Sequence, residues 1–163
     1  MPQTYAANTE VPVTRSRDEI ERTLTRFGAS KFAYFSDPPF VSIAFEIRGL
    51  RVLMKMELPD RKLFERDTRG KIRTESAVTK DWEQACRQRW RTLANAIKAK
   101  LAMVDDGIST VEREFLADVM LPSGESIGDR LAPEIKAVVE SGDLPPLMPG
   151  KPERKIIALG EGR

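Results

Sequence analysis

From Lys80 to Val104 the chain reads KDWEQACRQRWRTLANAIKAKLAMV, with neither Gly nor Pro. Trp82, Cys86, Trp90, Leu93, Ile97, Leu101 and Val104 recur at steps of three and four, which is the helix period. Both tryptophans of the protein lie on this stripe. An amphipathic helix of this length needs a large apolar partner surface, and the rest of the chain must supply it. At about 100° per residue, Lys80, Arg87, Arg91 and Lys98 fall on one flank of the stripe, and Arg89 and Lys100 on the other. The pattern predicts a core helix with positively charged shoulders.

The partner surface is readable upstream. Lys31 to Phe35 is rich in aromatics and is broken by Ser36-Asp37-Pro38-Pro39. Val41, Ile43, Phe45 and Ile47 then alternate with Ser42, Ala44 and Glu46, the period of a half-buried strand. Arg48-Gly49-Leu50 suits a tight turn. Val52, Met54, Met56 and Leu58 alternate with Arg51, Leu53, Lys55 and Glu57, and Pro59 ends the run. These segments predict a three-stranded antiparallel meander with one apolar face, which the long helix would cover.

Before the strands, Ser16 and Glu19 have the spacing of a capping box. Ile20, Leu24 and Phe27 follow on one face, and Gly28 suits a left-handed stop. After Val104, Asp105-Asp106-Gly107 closes the long helix. Ser109 and Glu112 resemble a second capping box, followed by Val111, Phe115, Leu116, Val119 and Met120. Leu121 to Gly124 reads as a turn, and Ser126 caps a short turn through Leu131. A final helix is expected to start at Pro133 and run to Glu140.

The fold class expected is therefore α+β: a short N-terminal helix, the meander, the long helix on the sheet, then two or three short helices. Residues 1–14 read as an arm, 15–142 as one domain, and 143–163 as a Pro/Gly-rich tail. In that tail, Leu144, Leu147 and Met148 suggest an extended clamp, and IIAL a strand or partner-binding peptide.

Composition narrows the chemistry. The chain has 163 residues, 40% hydrophobic and 32% charged, so one domain with a packed core is the expectation. No run approaches the ~18 apolar residues of a membrane span. The start, MPQTYAANTEVPV, has neither the basic nor the apolar region of a secretory leader. With a single cysteine, Cys86, no internal disulfide can form, which fits a reducing cytoplasm. There is no histidine. That removes Ser-His-Asp and Cys-His nucleophiles and the commonest metal ligand.

Carboxylates cluster at Asp105-Asp106 and at Glu112, Glu114 and Asp118, but helix ends and solvated faces account for them. Neither a P-loop nor a GxGxxG run occurs. Cys86 lies on the apolar stripe and reads as a buried thiol. The expectation is a protein that is not an enzyme and that uses no cofactor and no metal.

Charge is uneven along the chain. Residues 59–104 hold twelve Lys and Arg against six Asp and Glu, while the remainder holds fifteen against nineteen. Between the last strand and the long helix, residues 59–80 form a charge-rich connection that reads either as a solvated, flexible loop or as a loop that orders on a polyanion. A loop that long is usually functional or disordered. Its Arg66, Arg69, Lys71 and Arg73, with Arg87, Arg91 and Lys98 of the helix, form the candidate phosphate-binding set. The competing reading is that these cations only solvate the surface, with Asp81 and Glu83 partly neutralising them. Trp82 and Trp90 read as core residues. Tyr34, Phe35 and Phe40 are better candidates for exposed aromatics.

Two blocks, VPVTRSRDEIERTLTRFGASKFAY and WEQACRQRWRTLANAIKAKLAMVDDGISTVEREFLADVMLPSG, with LPPLMPG near the end, carry a resemblance. Together they resemble a family of small uncharacterised proteins encoded by bacteriophages and prophages. The resemblance covers most of residues 11–150 and implies action in the bacterial cytoplasm. It implies no site residues. The order helix, meander, long basic helix is also similar, at the level of fold alone, to phage single-strand annealing proteins, which assemble as rings or filaments and hold DNA in a basic groove.

Two expectations about function follow. The first is a phage-type nucleic-acid-binding protein, with single-stranded DNA favoured, acting as a homo-oligomeric binding or annealing protein in recombination or replication. The second is a phage accessory protein that binds and inhibits a host protein.

Overall fold

The computed structural model of the protein describes Ala6 and residues 8–142. The tail expected over 143–163, with its clamp and its IIAL segment, lies outside the described residues. The elements run α1 (Val13–Arg26), β1 (Ser30–Asp37), β2 (Phe40–Ile47), β3 (Leu50–Glu57), a 3-10 turn (Arg61–Phe64), α2 (Glu75–Asp105), α3 (Val111–Phe115), a second 3-10 turn (Leu116–Asp118) and α4 (Ile127–Ser141). This is the α+β architecture that the pattern predicts. The chain divides into two compact units, Met1–Arg130 and Leu131–Arg163.

The three strands form an antiparallel meander in the order β1-β2-β3. Ile43 is paired with Tyr34 on one side and Met54 on the other, and Phe45 faces Val52. This register puts the alternating residues Val41, Ile43, Phe45, Ile47, Val52 and Met54 on one face, and all six are buried. The β2–β3 connection is the two-residue turn Arg48-Gly49, with φ of 49° and 79°. A tight hairpin needs both positions left-handed, and glycine takes the second without strain.

On that face lies α2, burying Val78, Cys86, Trp90, Ala94, Ile97 and Leu101, with Leu93 and Val104 half-buried against the core. Each large side chain so buried contributes roughly 1.5–3 kcal/mol. Ile20 and Leu24 of α1 complete the core, and Phe115 of α3 meets Phe45 edge-on at 5.6 Å. The free edge of β3 is occupied by the segment after α3. Met120 N–H donates to Arg51 O at 2.8 Å, and Ile127 N–H to Val119 O at 2.9 Å. Gly128 permits close approach there, since a Cβ would stand 2.8 Å from Ala117 O.

Four expectations are corrected. The first helix begins at Val13, one turn before the expected box, with Pro12 as N-cap and Ser16 N–H donating to Pro12 O at 3.2 Å. Val13 packs on the core, so the helix gains by starting early, and Ser16 is buried inside it and caps nothing. The connection at 59–80 is largely ordered, because α2 starts at Glu75, where the Thr74 hydroxyl accepts from Ala77 N–H at 3.4 Å. Thr110, one residue past Ser109, caps α3 by accepting from Arg113 N–H at 3.4 Å. Finally, α4 is continuous from Ile127 through Pro133. Ser126 does cap it, accepting from Asp129 N–H at 3.0 Å, and Pro133 forgoes one intrahelical bond without ending it.

Candidate nucleic-acid interface

The connection between β3 and α2 folds into a small basic knob. Asp60 opens it, its carboxylate accepting from Lys62 N–H at 3.0 Å to start the 3-10 turn Arg61–Phe64. Arg66 and Ile72 then bridge in antiparallel fashion. Between them Asp67 organises a tight loop. Its carboxylate accepts from the backbone N–H groups of both Arg69 and Lys71 at 2.9 Å. Gly70 takes φ +80°, and the Arg66 guanidinium donates to its carbonyl at 2.9 Å.

Two ion pairs clip the knob to the start of α2. Arg61 meets Glu75 and also donates to the Thr79 hydroxyl at 2.9 Å. Arg73 meets Asp81 at 2.5 Å, while its N–H donates to Glu65 O at 2.9 Å. Between the clips, Lys62, Arg66, Arg69 and Lys71 are exposed and form no ion pair with the described residues. Leu63 and Ile72 stand among them, 74% and 71% exposed. Asp60, Glu65 and Asp67 keep their negative charge beside them, so these four cations outnumber the knob's own carboxylates by one.

The shoulders of α2 are arranged differently. Arg87 donates twice to Gln84 Oε1, at 2.7 and 3.1 Å, and lies 3.8 Å from Glu83. Arg91 is bonded to Glu19 of α1, and Lys98 is 3.9 Å from the same carboxylate. On the other flank, Lys100 reaches the Glu114 carbonyl and sits 5.3 Å from the centre of the Phe115 ring. The seven residues singled out from the sequence thus divide. Arg66, Arg69 and Lys71 come together on the knob. Arg73, Arg87, Arg91 and Lys98 each face a carboxylate. Lys62, a basic residue of the same segment but outside that set, joins the knob from within the 3-10 turn.

No family model, curated protein or solved structure matches the chain.

Phe35 and Phe40 lie at the outer end of the sheet, 56% and 46% exposed. Tyr34 is turned inward. Its hydroxyl donates to Arg17 O at 2.7 Å, and the Arg17 guanidinium lies 4.0 Å from the ring centre. Burial pushes its phenol up to about 12, against the opposing pull of Arg17. Cys86 is buried, and that burial, with Glu83 nearby, raises its thiol pKa, which disfavours the nucleophilic thiolate. Burial also raises the Asp118 carboxyl, with Lys100 pulling the other way. Among the described residues, no group of three or more Cys, Asp and Glu side chains is placed to hold a metal ion. No helix of the described residues is long and apolar enough to cross a membrane.

Proposed function

We propose that this protein binds single-stranded nucleic acid through the knob at residues 60–73, in phage recombination or replication. The observation that carries the reading is the Asp67-braced turn, which gathers Arg66, Arg69 and Lys71, with Lys62 beside them, exposed and in no ion pair with the described residues. Cations fixed on a short turn and flanked by exposed Leu63 and Ile72 suit a strand whose phosphates and bases are both accessible. Glu19 offsets one of the two charges of the Arg91 and Lys98 shoulder, and its bond to Arg91 belongs to the packing of α1 on α2.

Fluorescence anisotropy of a labelled oligonucleotide across a salt series tests this reading. Four phosphate contacts give a slope of log K on log salt of about −3. Absence of binding at low salt, or binding insensitive to salt, would overturn it.

A second reading, capture of a partner protein, is favoured by a separate observation. Leu131, Ile135, Val138 and Val139 lie on one side of α4 and are 38%, 60%, 43% and 58% exposed. Lys136 and Glu140, 3.8 Å apart, lie on another. A helix with one apolar stripe of this kind suits helix-in-groove recognition. Recovery of one host protein after nuclease treatment, lost in Ile135→Asp, would support this reading over the first.

A further inference from the structure

A crevice of about 570 Å³ opens between the first residues of α1, the end of β3 and the first half of α2. This lies within the ~300–1,000 Å³ usual for ligand sites. Val13, Leu58, Trp82 and Trp90 line it, with Glu83 and Arg87 among its polar groups. Trp90 is only 5% exposed and so contributes floor. Trp82 is half-buried, and its indole N–H is already committed to Pro59 O at 2.9 Å. It therefore offers ring surface and no donor.

The polar groups restrict the occupant. Arg87 commits Nε and Nη2 to Gln84, which leaves Nη1 as a donor, and Glu83, 3.8 Å from it, supplies an acceptor. A free phosphate or carboxylate seeking Arg87 would meet the Glu83 carboxylate beside it. A purely apolar group would use the indole wall and none of these polar groups. A flat, neutral heterocycle carrying donors and acceptors along its edge satisfies indole and polar groups together. Position agrees with this. Pro59, which Trp82 holds, directly precedes Asp60, where the basic knob begins.

We propose that this crevice docks a nucleobase of a strand whose phosphates lie on the knob. The inference rests on the nucleic-acid reading and adds to it a site of stated chemistry. Trp82 is the stacking wall, and Arg87 with Glu83 reads the base edge.

The protein carries its own reporter, because its only two tryptophans both line the crevice. Intrinsic emission of the full chain is followed on titration with oligothymidylate, with adenosine and with an abasic oligomer of equal length. Anisotropy of labelled oligothymidylate is read in parallel. The expected result is saturable quenching by oligothymidylate and by adenosine, and none by the abasic oligomer. Arg87→Leu weakens adenosine about tenfold, as expected for one hydrogen bond to a charged group.

Oligonucleotide binding by anisotropy with unchanged emission overturns the crevice and leaves the knob reading standing. Equal quenching by the abasic oligomer also overturns it. Saturable quenching by adenosine without oligonucleotide binding keeps the crevice and removes the knob. No response in either channel removes both.

Discussion

Glu19 on α1 holds Arg91 on α2, 72 positions further along the chain, and Lys98 stands 3.9 Å from its other carboxylate oxygen. The pair is only about a quarter exposed on either side, 24% for Arg91 and 25% for Glu19. It ties the first helix to the long one at the edge of the core. In this arrangement Arg91 is held in a largely buried pair, while Lys98 keeps its side chain 66% exposed.

Glu19→Gln separates cohesion from phosphate binding. Loss of the charge-assisted bond costs about 1–3 kcal/mol, readable by urea denaturation. Affinity for a labelled single strand stays within about twofold at physiological salt, because the freed cations lie off the knob and are screened. A large gain in affinity would return Arg91 and Lys98 to the interface.

The double variant Arg69→Gln, Lys71→Gln has the opposite profile. Asp67 accepts from backbone N–H groups at both positions, and the substitutions leave those bonds in place. Stability stays within about 0.5 kcal/mol. The salt slope of single-strand binding becomes shallower by about 1.4, at roughly 0.7 per lost contact.

Ser16 is fully buried on α1, and its hydroxyl has no hydrogen-bond partner among the described residues. Ser16→Ala removes an unsatisfied polar atom and adds helix propensity. The variant is expected to be about 1 kcal/mol more stable than the parent, measured as a higher urea midpoint at unchanged m-value.

Tyr34 gives the fold an alkaline limit. Its phenol titrates at about 12 when folded, against the ordinary 10.0, because burial disfavours the phenolate. The raised value means the folded state holds the proton more tightly. The associated stability is complete below pH 10 and is lost as pH rises towards 12. Thermal midpoints are expected to fall over that window, and Tyr34→Phe to flatten the fall, at a cost of about 1 kcal/mol for the lost bond to Arg17 O.

Legibility in the sequence followed the range of the interactions. The β2–β3 hairpin was readable because alternation and the Arg48-Gly49 turn are local and agree with each other. The stripe from Cys86 to Leu101 was readable because its period matches the buried face. The start of α1 was not, because Ser16 and Glu19 fit a cap by spacing, while burial of Val13 and the Arg91 pair decide otherwise. The order of the knob was not legible because it comes from Asp67 accepting two amides and from clips to Glu75 and Asp81, none of which has a period. Within the candidate site, charge alone marked Arg66, Arg69 and Lys71. It could not separate them from Arg91, whose partner Glu19 folds back from α1, whereas Arg87 meets Glu83 and Gln84 one turn earlier on its own helix.

The clips to Glu75 and Asp81 have a consequence for how any titration is interpreted. Both are partly solvated ion pairs, and added electrolyte loosens them as it displaces ligand. Ionic strength then acts on the receptor's own shape as well as on the encounter. A steep dependence will overcount the phosphates touched unless the tether is first made covalent, so that the geometry no longer melts with the measurement.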